Sequence, residues 1–110
     1  MNALFLGIEI GGTKLQMVAG TAAGHIEERR RFTVNPEHGG AGIRHEIETA
    51  LPALLRQCPA AAIAVGFGGP VDRQAGRIAV SHQIEGWADY PLREWLSRLA
   101  QLPVLVENDA

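Results

Sequence analysis

The sequence predicts an α/β domain built on a sheet of mixed strand direction, and three patterns in its 110 residues support this. Short apolar or alternating runs end in glycine-rich turns, as strands do. Two longer segments repeat apolar residues at the three- and four-residue spacing of an amphipathic helix. The elements follow in the order β-β-β-α-β-α-β, which is typical of an α/β sheet.

The first third of the chain predicts a meander of three antiparallel strands. Residues 4–10 form a nearly continuous apolar run, which predicts a strand buried on both faces. Residues 14–19 alternate polar and apolar positions, and residues 25–34 are extended but heavily charged, as expected of an outer strand. The triplet Arg29–Arg31 is interpreted as the charged surface of that outer strand rather than as a phosphate or nucleic-acid patch.

The rest of the sequence predicts two helices that alternate with strands. The expected buried stripes are Ile43, Ile47, Leu51, Leu54 and Leu55 in the first helix and Leu92, Trp95, Leu96 and Leu99 in the second. Pro52 lies inside the first stripe, where it is expected to kink the helix or mark a restart near Leu51. Residues 61–67 predict a central strand, residues 77–80 a short extended piece, and residues 104–106 a last strand.

Composition narrows the class of protein. The chain has 10 Lys and Arg residues against 12 Asp and Glu residues, a formal net charge of −2, so no basic field favours nucleic acid or anionic lipid. No apolar run approaches the roughly 20 residues that span a bilayer. Cys58 is the only cysteine, which excludes an internal disulfide and suits a reducing compartment. We therefore expect a cytoplasmic protein without nucleic-acid or membrane partners.

The segment Gly7–Lys14 is the sharpest local motif. A strand that ends near Glu9 and a Gly-Gly-Thr turn places free backbone N–H groups beside a carboxylate, and these groups can seat a polyphosphate with Mg²⁺. Thr13 and Lys14 stand in the reverse order from a P-loop, and a strand follows instead of a helix, so this segment is not a P-loop. An ordinary hairpin with a surface glutamate is the alternative.

Two further motifs follow predicted strands. Asn108 and Asp109 end the last strand, where Asp109 could take a proton from a substrate hydroxyl, although a turn or helix cap is the alternative. The glycine-rich loop in Gly66–Asp72 suits either close ligand approach or a plain exit from a strand.

Taken together, these motifs resemble the ROK family, bacterial sugar kinases and sugar-responsive repressors that share an actin-like, ribonuclease-H-like ATPase fold. The matching segments are Gly7–Lys14, Gly66–Asp72, Gly86-Trp87 and Asn108-Asp109-Ala110. The resemblance implies phosphoryl transfer from ATP to a sugar hydroxyl. The implied phosphate-binding residues are Gly11, Gly12, Thr13 and Lys14, with Mg²⁺ at Glu9. The implied sugar contacts are Gly68, Gly69, Gln83 and Asn108, with Asp109 as the catalytic base.

The chain departs from the family pattern at several points. Glu9 stands where many members have Asp, and His82-Gln83 stands where kinases of the family commonly have Pro-Asn. Members continue into a second domain, which often carries a zinc site, so residues 1–110 are expected to be an incomplete N-terminal domain of a homo-oligomeric parent. A sugar-sensing transcriptional regulator without kinase activity is the alternative, although the start of the chain leaves no room for a helix-turn-helix before the first strand.

Overall fold

The computed structural model describes residues 3–12, 14–79 and 86–108, which form a five-stranded sheet in the order β3-β2-β1-β4-β7. The sheet strands are β1 (Leu4–Ile10), β2 (Lys14–Thr21), β3 (Ile26–Thr33), β4 (Ala60–Phe67) and β7 (Val104–Asn108). A short hairpin of β5 (Val71–Asp72) and β6 (Arg77–Ile78) lies apart from it, and the helices are α1 (Gly39–Gln57) and α2 (Leu92–Ala100).

The strand directions confirm the predicted mixed sheet. β1, β2 and β3 pair antiparallel as a meander, whereas β1, β4 and β7 pair parallel. The two connections that contain the helices, β3–α1–β4 and β4–α2–β7, run in the same direction across the sheet. Because connections between parallel strands are nearly always right-handed, both helices are expected on the same face. The burial pattern agrees, since buried side chains of both helices join one core with alternate residues of the strands.

The prediction that β1 is buried on both faces is wrong. Leu6, Ile8 and Ile10 are each 1% exposed beneath the helices, but Phe5 and Glu9 on the opposite side are exposed. The apolar run cannot distinguish the two faces, because coverage depends on where the crossovers place the helices. We call this uncovered side the open face. One row across it contains Val18, Gly7, Ala64 and Leu105 in register.

Helix α1 continues through Pro52, so the predicted restart near Leu51 is wrong. The buried stripe Ile43, Ile47, Leu51 and Leu54 runs along the whole helix. Proline removes one backbone hydrogen bond, to the carbonyl of Glu48, which is an exposed residue. Burial of the stripe therefore outweighs the local cost of proline.

Strand β6 lies within the predicted extended piece, residues 77–80. Its pairing with β5 was not predicted, because two-residue strands have no periodicity. Gly76 in the turn between the two strands has a φ of 68°, a conformation that favours glycine. Arg93 at the start of α2 donates hydrogen bonds to the carbonyl oxygens of Arg73 (3.4 Å) and Gln74 (3.0 Å). Contacts from a distant helix therefore hold this turn in place.

Trp87 is a core residue, with 1% of its surface exposed. Its ring packs edge-to-face on Phe67 at 5.3 Å and on Tyr90 at 5.6 Å between centroids. The Arg44 guanidinium lies 5.0 Å from the centroid of Trp87 and 4.0 Å from that of Tyr90, and it donates a 3.0 Å hydrogen bond to the Gly86 carbonyl. These contacts fasten residues 86–90 to α1.

Replacing Trp87 by alanine is expected to lower the free energy of unfolding by about 3–5 kcal/mol, since the change leaves a cavity in the core. Trp95→Ala is the matched control, and it is expected to cost less than about 2 kcal/mol because Trp95 is only partly buried. Urea denaturation followed by circular dichroism measures both. Equal costs for the two variants would contradict the assigned core.

The open face predicts self-association of the 110-residue chain in isolation. Phe5 is 42% and Leu105 is 53% exposed beside the small residues of the open-face row, so an apolar surface faces solvent. Leu105→Lys is expected to lower the apparent mass at high protein concentration in size-exclusion chromatography with light scattering. Ala22→Lys, in the exposed β2–β3 turn, controls for added charge. A monomeric wild-type chain at every concentration would refute this expectation.

Candidate functional site

The predicted motifs meet at one edge of the sheet. Ile10 at the end of β1 pairs with Phe67 at the end of β4, and Phe67 pairs with Asn108 at the end of β7. The three strands are parallel, so their carboxyl ends lie side by side, which is where open α/β sheets bind ligands. The residues at these three strand ends are therefore neighbours, although more than 50 positions separate Ile10 from Phe67 in the sequence.

The loop Gly68-Gly69-Pro70 connects these strand ends through its backbone. The Gly68 N–H donates a 2.9 Å hydrogen bond to the Ile10 carbonyl at the end of β1. The Asn108 side-chain amide donates to the Gly69 carbonyl. The Pro70 carbonyl accepts a 3.0 Å hydrogen bond from the Ala79 N–H beyond β6. Two of the predicted sugar contacts, Gly69 and Asn108, are thus in direct contact.

The structure describes three of the predicted phosphate-binding residues, Gly11, Gly12 and Lys14. They lie in the turn between β1 and β2 or directly after it. The Gly11 N–H donates a 3.0 Å hydrogen bond to the Lys14 carbonyl and closes the turn, while Gly11 and Gly12 are half-buried. A Cβ added to Gly11 would have the Lys14 carbonyl oxygen, at 3.6 Å, as its nearest neighbour, an ordinary contact distance. Packing within the described chain therefore does not demand glycine here, whereas the close approach of a ligand would.

Glu9 and Lys14 line an open cavity of about 480 Å³ beside this turn. The other lining residues are Leu15, Gln16, Arg31, Phe32 and Thr33. Arg31 was interpreted from the sequence only as a surface charge of the outer strand. The β2–β3 register places it opposite Gln16, and its Nε donates a 2.8 Å hydrogen bond to Gln16 Oε1. Only the strand pairing brings Arg31 beside the predicted phosphate residues.

Two carboxylates lie in one row of the open face, Glu9 on β1 and Glu107 on β7, with Gly66 of β4 between them. Glu107 is paired with Arg73, whose Nε lies 3.0 Å from Glu107 Oε2. Within residues 3–12, 14–79 and 86–108, Glu9 makes no ion pair and is exposed. One accessible carboxylate that lines a cavity fits Mg²⁺, which uses one or two carboxylates and completes its shell with water and phosphate oxygens.

Three predicted site residues, Thr13, Gln83 and Asp109, lie outside the described residues. Their roles stay predictions. Among the residues that are described, no group of three or more His, Cys, Asp or Glu side chains is arranged to hold a metal ion. No helix in the described part of the chain has the length and apolar character to cross a membrane.

A model of the ROK family matches residues 5–110. The glucokinase of Halalkalibacterium halodurans is 34% identical over 111 residues, which cover 96% of this chain and 33% of that protein. The structure of a ROK family glucokinase from Streptomyces griseus, in complex with glucose and AMPPNP, superposes with a TM-score of 0.86 at 29% identity. It covers 98% of this chain and 34% of that one, so this chain spans about a third of its relatives.

A ROK family transcriptional regulator, homologous to the Escherichia coli MLC protein, also superposes with a TM-score of 0.85. The match covers 99% of this chain and 28% of that one, and the identity is 16%, so this likeness shows the fold alone. These structures establish the fold as the actin-like ATPase fold that the motifs predicted.

Removal of the Asn108 amide is expected to loosen the Gly68-Gly69-Pro70 loop. Asn108→Ala deletes the donor to the Gly69 carbonyl and should lower the free energy of unfolding by about 1 kcal/mol. Asn108→Asp should cost more, because a carboxylate cannot donate and would face the carbonyl oxygen. Urea midpoints measure both changes. A more stable Asp variant than Ala variant would contradict the assigned contact.

Proposed function

Because this chain belongs to the ROK family, we propose that it forms the phosphate-facing part of an ATP-dependent sugar kinase. The observation that supports this most strongly is the meeting of three strand ends at one edge. The glycine loop after β4 is hydrogen-bonded there to Ile10, which directly precedes the Gly-Gly turn, and to Asn108 at the end of β7. A phosphate donor and a hydroxyl acceptor bound at this edge would be adjacent, and phosphoryl transfer depends mainly on such positioning.

On the donor side, the turn of Gly11, Gly12 and Thr13 would cradle the phosphates of ATP, and the Lys14 ammonium would offset their charge. The N–H groups of Gly12 and Thr13 would be the donors, because the Gly11 N–H closes the turn onto the Lys14 carbonyl. Glu9 would hold Mg²⁺, which neutralises charge on the phosphate oxygens when bound. The longer glutamate side chain can reach further from the strand than an aspartate. Within the described part of the chain, no basic partner competes with Mg²⁺ for Glu9.

On the acceptor side, Asp109 would take the proton of the attacking sugar hydroxyl. Asp109 directly follows Asn108, which the sheet register places at the end of β7. Asn108, Gly68, Gly69 and Gln83 would hold the sugar. Hydrogen bonding between Asn108 and the Gly69 carbonyl would fix the spacing of these contacts before the sugar binds.

The remaining parts of the site would come from the part of the family's proteins that this chain does not span. We propose that residues 1–110 act as the N-terminal domain of a larger cytoplasmic, homo-oligomeric kinase for a hexose or N-acetylhexosamine, and that any zinc site lies in the rest of that protein. Half of a two-domain site cannot enclose ATP and sugar. The 110-residue chain by itself is therefore expected to turn over negligibly.

A sugar-sensing regulator is the second candidate function, since a ROK family regulator shares the fold. The two functions differ in the chemistry they require: a sensor must bind sugar, whereas a kinase must also bind ATP and supply a base. Binding of sugar in calorimetry, together with no sugar-dependent ADP release, would favour the sensor.

Asp109→Asn is expected to lower sugar-dependent turnover by about 10² or more, because the variant lacks the general base. The measurement is a coupled ADP-release assay, on the full-length protein that carries these residues, against a panel of hexoses and N-acetylhexosamines. Asp89→Asn is the matched control, since Asp89 is exposed and paired with Arg77. Unchanged turnover in Asp109→Asn would remove Asp109 from the mechanism, and robust turnover by residues 1–110 alone would contradict the two-domain site.

A further inference from the structure

Two cationic side chains, Lys14 and Arg31, line the cavity beside the β1–β2 turn. The resemblance to the family implies a phosphate-binding role for Lys14, but it implies no role for any residue of β3. We propose that Arg31 is a further anion-binding residue, which contacts the polyphosphate of a nucleoside triphosphate from the side opposite the Gly-Gly turn. The identity of this ligand rests on the proposed kinase function, whereas the anion site rests on the geometry of β1, β2 and β3.

The strand register determines which arginine of the triplet can serve. Arg30 points to the helix side, where its Nη2 donates a 2.6 Å hydrogen bond to Gln57 of α1. Arg29 and Arg31 alternate with it and lie on the open face. Arg29 pairs with Val18 and does not line the cavity, whereas Arg31 pairs with Gln16, in the same row as Glu9.

Gln16 orients the Arg31 guanidinium. The 2.8 Å hydrogen bond uses Arg31 Nε and leaves the two terminal nitrogens as donors. No carboxylate within residues 3–12, 14–79 and 86–108 forms an ion pair with Arg31. An arginine held through Nε, with its terminal nitrogens free of anions, can bind phosphate oxygens in a bidentate arrangement.

The charges around the cavity favour an anion. Lys14 and Arg31 contribute two positive charges and Glu9 one negative charge, and Mg²⁺ at Glu9 would raise the positive excess. The side chains of Gln16 and Thr33 add neutral hydrogen-bonding groups to the lining. This combination suits a compact polyanion better than an uncharged sugar. A cavity of about 480 Å³ has room for a phosphate chain and its metal ion.

The test is a titration of the 110-residue chain with inorganic tripolyphosphate and with Mg·ATP. Binding is followed by NMR, through the arginine Nε–H resonances and the backbone amides of the β1–β2 turn, because this readout tolerates weak affinity. Arg31→Gln is expected to raise the Kd for both ligands about 5- to 10-fold, the effect of losing one charge-assisted contact. Arg29→Gln is the matched control for charge on the same strand and face, and it is expected to change the Kd less than about 2-fold.

Equal effects of Arg29→Gln and Arg31→Gln would overturn the proposal, since they would indicate a general charge effect. A wild-type chain that binds neither ligand would also overturn it. Arg31-dependent binding in a full-length protein that shows no sugar-dependent turnover would refute the kinase function and leave the anion site standing. Conversely, sugar-dependent turnover with an unchanged KM for ATP in Arg31→Gln would leave the kinase standing and remove Arg31 from the site.

Discussion

The parallel pairing of β4 between β1 and β7 is the constraint on which the candidate site depends. Their backbone hydrogen bonds set Ile10, Phe67 and Asn108 in register, so the three strands end at the same edge of the sheet. A slip of one residue would move Ile63 and Val65 from the core to the open face. Burial of these side chains therefore stabilises the fold and also maintains the register of the three strand ends.

The glycine loop of the candidate site is held mainly through backbone atoms, and this limits how the loop can vary. The Gly68-Gly69-Pro70 loop is held by two backbone hydrogen bonds and by the Asn108 side chain. A Cβ added to Gly68 would lie 3.4 Å from the Ile10 carbonyl oxygen, so the loop already packs closely on the end of β1. A site of this kind is positioned before a ligand arrives, which lowers the entropic cost of binding.

The open face and the candidate site lie on connected parts of the same sheet. Phe5 and Leu105 expose apolar surface on that face, while Glu9 lies on it near the carboxyl edge. The chain spans about a third of the length of its relatives. Open α/β sheets generally bind ligands at the carboxyl edge of their parallel strands. The helix-covered core and the uncovered second face agree with the proposal that this chain is one domain of a larger protein.

Sequence patterns alone predicted the order of the main strands and helices, the meander and the family, because periodicity, turn residues and motifs can be recognised along the chain without knowledge of its packing. Tertiary structure decided which face of β1 is covered and that α1 continues through Pro52, since both depend on how distant elements pack. It also decided that Arg31 lies beside Glu9 and Lys14. Strand register sets that proximity, and no local pattern in the sequence encodes the distance between side chains on separate strands.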